Sequence, residues 1–202
     1  HYDKILMGDL EDVGLSLSRL TLHVGAGTFK PLSEGQINDH VMHSERCVVN
    51  RFTLELLRSQ KRRVATGTTT LRTLESIYWM AIKHKYDGAF PNVLTQWTPY
   101  ELDDLGMSYN EALDYLLDII SSEIDWAFQT QIMIKPGYRI RSIDGLITNF
   151  HQPNSTLLCL VSACLKSGGH DQNWKDLYDV ALKEKYRFLS YGDGCLIELK
   201  TS

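Results

Sequence analysis

A strand pattern over about residues 63–66 runs directly into Thr66-Gly67-Thr68-Thr69-Thr70, and then into a helix whose apolar face is Leu71, Leu74, Ile77, Tyr78 and Ala81. This junction constrains the fold strongly, because it lies at the strand's carboxyl end, where open α/β sheets carry their ligand loops. Two related junctions can be read. Leu20, Leu22 and Val24 alternate with polar residues in a strand over 17–24 that ends in Gly25-Ala26-Gly27-Thr28. An apolar strand over 145–149 leads through His151 and Pro153 into a helix near Ser155.

The remaining pattern extends the alternation. Helices are expected at 2–13, 51–60, 109–128 and 174–188, and strands at 47–49, 131–134 and 195–199. An irregular connection, a short hairpin or a lid, fills 86–108. Strand and helix alternating throughout imply one α/β domain over 1–202, with a mostly parallel, Rossmann-like sheet and helices on both faces. The sequence contains no internal repeat, low-complexity tract or linker. It enters at His1 already inside a helical pattern, which reads as truncation at the N-terminus.

With 43% of 202 residues hydrophobic, the chain can bury a substantial core. Its formal charge of -4 gives no global attraction to a polyanion, so contact with nucleic acid needs local basic patches. Candidates are Arg58, Lys61, Arg62 and Arg63, and separately Lys135, Arg139 and Arg141; solvated helix ends are the alternative reading. The four cysteines have no C-x-x-C spacing, and the cytosol is the expected compartment. The apolar run 157–165 is far below the roughly 20 residues that span a bilayer, so no membrane association is expected.

Five segments bear groups suited to chemistry. In Leu20 to Phe29, glycines permit close backbone approach to a ligand and His23 precedes the loop; a tight turn with a core histidine explains the same residues. His40, His43 and Glu45 suit an acid-base pair or a solvated loop, and lack the H-E-x-x-H spacing of a metal site. Backbone N–H groups and the hydroxyls of Thr68, Thr69 and Thr70 suit a carboxylate or phosphate, or ordinary capping. Arg72 can bond the same anion or pair with Glu75 on its own helix. Asn149 and His151 converge with Ser155 and Thr156 at one strand end, and Tyr186 to Asp193 places an arginine, two tyrosines and an acid on a helix-to-strand loop.

In this order, LTLHVGAGTF, HVMHSE, TGTTTLRTLES, PGYRI with DGLITNFHQPNSTLLCLVSA, and YRFLSYGDG resemble the S-adenosylmethionine:tRNA ribosyltransferase-isomerase family across nearly the whole chain. His1-Tyr2 resembles the end of a family Leu-His-Phe segment. The family more often has V-G-T-T-S where this chain has Thr66 to Thr70, and its upstream β-barrel domain is absent from this chain.

The resemblance implies a transferase that moves and isomerises the ribosyl group of S-adenosylmethionine onto 7-aminomethyl-7-deazaguanine at a tRNA wobble position. Adenine and methionine are released and epoxyqueuosine remains. S-adenosylmethionine is then consumed as a substrate, no metal takes part, and a monomer is expected. The implied catalytic residues are His23, His43, Glu45 and His151. Gly25, Gly27, Thr28, Gly67, Thr68, Thr69, Arg72 and Asn149 are implied for the cofactor, with its carboxylate on Thr68, Thr69 and Arg72. The 202-residue piece alone is expected to be inactive. Two other classes remain open: a methyltransferase-like or nucleotide-binding module, although no G-x-G-x-x-G follows the first strand, and a non-catalytic RNA-binding protein.

Overall fold

The computed structural model describes residues 2–23, 25, 37–121, 125–171 and 173–199. Helix α1 (Lys4–Asp12) is capped by the Asp3 carboxylate, which accepts from the Leu6 N–H at 2.9 Å. There follow β1 (Thr21–His23), a 3-10 turn (Ile37–Asp39), β2 (Glu45–Val49), α2 (Arg51–Ser59), β3 (Val64–Thr66) and α3 (Thr68–Asp87). Then come β4 (Val93–Leu94), α4 (Thr98–Glu101), α5 (Tyr109–Ile119), β5 (Trp126–Thr130) and β6 (Gly145–Asn149). The chain continues through α6 (Thr156–Ser167), α7 (Trp174–Lys183) and β7 (Gly194–Glu198).

The strands form two sheets, β1-β2-β5-β4 and β3-β6-β7. The mostly parallel sheet expected from the alternation is corrected here. Among the described residues only β3–β6 and β4–β5 pair in parallel, while β1–β2, β2–β5 and β6–β7 are antiparallel. The architecture is a mixed α/β fold. Helix α3 joins its parts, touching β1 and β4 of the first sheet and β3 and β6 of the second. It buries Leu71, Leu74, Ile77, Tyr78 and Trp79 in a cluster that also takes Cys47, Val49 and Phe128 from one sheet and Ala65, Leu146 and Ile197 from the other. A satellite cluster of Phe150, Leu158, Tyr178 and Ala181 fixes α7 beside the end of β6.

Element boundaries also change: the first strand, expected over 17–24, begins only at Thr21, and the helix expected over 174–188 stops at Lys183. The helix expected over 109–128 stops at Ile119, and the strand expected at 131–134 lies earlier, as β5 (Trp126–Thr130). Ile132, Met133 and Ile134 are buried outside any strand, although the Gln131 and Met133 N–H groups still bond the carbonyls of Leu94 and Gln96. No helix among the described residues is long and apolar enough to cross a membrane.

The β3–α3 junction follows from one backbone requirement. Gly67 has φ of +88°, a conformation that a side chain would strain, and its N–H donates to the Ile147 carbonyl at 2.8 Å. The threonine loop is thereby tied to β6, close to where Asn149 and His151 begin their own loop.

Candidate active site

Alternation along β2 sends Glu45, Cys47 and Val49 inward. Glu45 is thus a fully buried carboxylate at the start of the strand, and it is met there by Arg72, the fifth residue of α3, only 5% exposed. Arg72 Nη1 donates to Glu45 Oε2. His43 Nε2 lies 3.1 Å from Glu45 Oε1, so the carboxylate joins an imidazole to a guanidinium. Burial pushes the Arg72 pKa down, against the opposing pull of Glu45. Burial likewise raises the neighbouring Cys47 thiol to about 11, which keeps it protonated and unreactive at neutral pH.

Arg72 and His43 line a narrow cleft whose interior is small, about 10 Å³, which is room for about one water molecule. Thr156 at the start of α6 is its other polar group, and the walls are Met42, Ile132, Met133, Ile134, Leu157 and Leu160. Gly25 closes on the same place, since a Cβ added there would lie 3.7 Å from His43 Cδ2. The described parts of three loops therefore converge around His43 and Arg72. Gln96 sets the position of the His43 segment: its Oε1 accepts from the Met42 N–H, and its Nε2 donates to the His40 carbonyl, both at 2.8 Å.

Other sequence candidates lie elsewhere. His23 is exposed, and its register with Arg46 puts it on the sheet face opposite Glu45. His151 belongs to a second group, with Nε2 2.8 Å from Thr148 Oγ1 and its N–H donating to the Tyr178 hydroxyl. Burial lowers its pKa to about 4, which leaves it neutral at physiological pH. Asn149 Nδ2 is 3.4 Å from the carbonyls of Gly192 and Asp193, a contact that links the β6 and β7 ends. Thr68 is buried, Thr69 is partly buried, and the Thr70 hydroxyl donates to the Thr66 carbonyl at 2.6 Å. Gly27 and Thr28 lie outside the described residues.

The basic candidates divide sharply. Arg58 and Arg62 pair with Asp114 at 2.5 Å and Glu198 at 2.7 Å. Arg63 turns inward to Asn110, the Leu57 carbonyl and the Tyr109 ring, and burial lowers its pKa. Arg141 bonds Asp104 at 2.9 Å beneath the rings of Tyr78 and Trp79. Lys135 sits over Trp97 and Tyr100 and donates to Asn38. Lys61 and Arg139 are exposed.

Glu75, which sequence offered as a partner for Arg72, instead accepts from the Tyr138 hydroxyl, the Arg141 N–H, and the N–H and hydroxyl of Ser142. Its signal in the sequence was position, a carboxylate four residues after Leu71 on the buried face of α3. Gln96 had no comparable signal. A larger open hollow of about 650 Å³, lined by Arg62, Gly168, His170 and Glu198 among others, lies by the first residue of β6, the opposite end of the sheet from Asn149. None of the catalytic or cofactor candidates lines it. Among the described residues no three His, Cys, Asp or Glu side chains group as a metal site would need.

A family model described as "Queuosine biosynthesis protein" matches residues 1–197. The S-adenosylmethionine:tRNA ribosyltransferase-isomerases of Acinetobacter baumannii and Thiobacillus denitrificans are each 37% identical to this chain over 202 residues, which is 98% of this chain and 46% of theirs. The chain thus spans a little under half the length of these curated relatives. The crystal structure of S-adenosylmethionine tRNA ribosyltransferase from Thermotoga maritima superposes with a TM-score of 0.55 at 27% identity, covering 96% of this chain and 49% of that one.

Proposed function

Because this chain belongs to the queuosine biosynthesis protein family, we propose that it forms the S-adenosylmethionine-handling part of a tRNA ribosyltransferase-isomerase. The reaction would transfer and isomerise the ribosyl group of S-adenosylmethionine onto 7-aminomethyl-7-deazaguanine at the wobble position of a tRNA, releasing adenine and methionine. The observation that carries the reading is the His43–Glu45–Arg72 chain, in which a buried ion pair holds a partly exposed imidazole beside a narrow apolar cleft. A proton-moving group is thereby held by a carboxylate that is itself fixed by a cation, as the proton transfers of this reaction require.

The sulfonium of the substrate acidifies the hydrogens on the adjacent ribose carbon, so removal of one of them starts the opening of the sugar and the expulsion of adenine. His43 is the group we assign to proton movement, and Glu45 orients its imidazole, as a carboxylate commonly orients a catalytic histidine. His151, neutral and partly buried, would support the strand end and not donate a proton at neutral pH. The continuous core through both sheets supports one α/β domain over 1–202. The parallel β3–β6 pair, with α3 leaving β3, supports a Rossmann-like reading of that half. The decisive assay incubates the full-length protein with S-adenosylmethionine and tRNA carrying the aminomethyl-deazaguanine. Adenine and methionine should appear in step with modified tRNA; methyl transfer without adenine release would select a methyltransferase instead.

A further inference from the structure

Three aromatic side chains follow one another in the loop between α7 and β7, and they are not used alike. Phe188 meets Phe150 and Tyr178 at ring-centroid distances of 5.2 and 5.5 Å, and Tyr186 meets Phe150 at 5.8 Å. Tyr191 stands outside this cluster. It is 94% exposed, more than any other large apolar side chain described.

The backbone that carries this ring is closely tied. The Arg187 guanidinium pairs with Asp193 at 3.0 Å, the Arg187 N–H donates to the same carboxylate at 2.8 Å, and the Asp193 N–H donates back to the Arg187 carbonyl at 2.9 Å. Inside that closure the Leu189 N–H bonds the Phe150 carbonyl and the Gly192 N–H bonds the Leu189 carbonyl, both at 2.9 Å. Leu189 has φ of +66°, a costly conformation for a bulky side chain, and Gly192 is buried where a Cβ would collide with the Arg187 carbonyl. Strain of this kind persists only where the surroundings enforce it, and it gathers at binding segments. The Asn149 amide, 3.4 Å from the carbonyls of Gly192 and Asp193, sets the loop at the end of β6 nearest Ile147, which holds Gly67. The fold thus holds an aromatic ring out into water on a fixed support, beside its strand-end loops.

Charge says what covers it. Residues 183–193 carry Lys183, Lys185 and Arg187, all exposed, against Glu184 and Asp193, in a chain whose formal charge is -4. Burying the ring under an apolar protein surface would bring these cations toward an interface core, where charged groups are depleted, whereas a nucleic-acid strand meets them with phosphates. Arg187 is partly spoken for by Asp193, so the segment adds little net attraction and the ring supplies the main contact. A paired base has its faces covered by the stack, and an unpaired one offers them to an aromatic side chain. We infer that Tyr191 is a stacking platform for an unpaired nucleotide of the tRNA. The inference rests on the functional reading above and adds a point at which this chain touches its RNA.

The test is filter binding of the full-length protein to tRNA carrying the aminomethyl-deazaguanine, over a salt series, with Tyr191→Ala, Tyr191→Phe and Tyr191→Trp beside wild type. Tyr191→Ala should bind ~5–100-fold more weakly, the usual loss for one stacked base, while the Phe and Trp variants stay within roughly twofold of wild type or bind tighter. The slope of log K against log salt should be the same in all four, because a stack releases no counterions. Thermal unfolding of each variant should coincide with wild type. Binding by Tyr191→Ala within about twofold of wild type would overturn the stacking contact and leave the functional reading standing. A Phe variant as weak as the Ala variant would overturn it too, by assigning the contact to the hydroxyl. So would a drop in unfolding temperature in Tyr191→Ala that Tyr191→Phe restores, since the ring would then be packed on protein. Wild type that binds no tRNA at any salt would overturn both.

Discussion

Glu45 and Arg72 are opposite charges in a nearly dry place, and their mutual attraction there offsets a desolvation cost that neither would bear alone. Only the carboxylate's second oxygen is left to hold His43, so that imidazole is oriented by a group that is itself fixed. In the full-length enzyme His43→Ala should lower kcat by about 10² or more, the usual contribution of a general acid or base. Steady-state rates of adenine release measure this, and a loss below about threefold would remove His43 from proton transfer. His151 makes a prediction of another kind. Its folded pKa, near 4, lies below the usual 6.5 of an unfolded histidine, so between those values the unfolded chain binds the extra proton. Stability is then unaffected above about pH 6.5 and falls as pH drops toward 4, by at most roughly 3 kcal/mol. His151→Gln should flatten that part of the curve in urea unfolding across pH 4–7; the same slope in both proteins would mean that other groups set it.

At the scale of elements, local signals were legible and distant pairings were not. The apolar stripe of α3 and the polar segments around Gly67 and Ser155 follow from neighbours a few residues apart, and they stand where the sequence puts them. Strand direction depends on which strands meet, and nothing in an alternating pattern states that β2 lies between β1 and β5 in antiparallel register. The same limit explains the boundary errors: Trp126 to Thr130 follows α5 closely with apolar residues at helix-like spacing, and only pairing with β2 and β4 makes it a strand. Within the site, Glu45 and Arg72 were each visible as candidates, but their contact spans 27 positions and the sequence instead suggested Glu75, three residues away. Gln96 was invisible because it works entirely through backbone atoms of a segment more than 50 positions earlier. Its amide joins the β4–α4 connection to the loop that presents His43. Gln96→Ala leaves one N–H and one carbonyl of that loop unpaired and should cost about 1–3 kcal/mol in denaturant unfolding. It should also lower kcat, since the loop that presents His43 is loosened. Unchanged stability and rate together would show that solvent replaces the clamp.

For the whole molecule, the question is how a chain of formal charge -4 could meet a polyanion. Sequence grouped seven basic residues as phosphate contacts, but the fold sorts them by task. Arg63 and Arg141 are built into the packing, through Asn110 and Tyr109 in one case and Asp104 with Tyr78 and Trp79 in the other. Arg58 and Arg62 are surface pairs whose partners already occupy them in part, and such exposed pairs contribute little to stability. Lys61 and Arg139 are exposed, and Lys135 is held over two aromatic rings, where it can keep its charge beside a surface that also offers flat faces for stacking. If tRNA binds through this chain, these three should carry the ionic part. Charge reversal of Lys61, Lys135 and Arg139 together in the full-length protein should weaken tRNA binding at low salt and reduce the slope of log K against log salt by about 2 to 3, close to one for each phosphate that is no longer neutralised. Reversal of Arg63 or Arg141 should act differently, lowering stability before any change in the salt slope, because a partly buried cation packed on aromatic rings becomes an anion against the same partners. Filter binding over a salt series, with thermal unfolding of each variant alongside, separates the two effects. An unchanged slope for the triple reversal would move the tRNA interface to other residues.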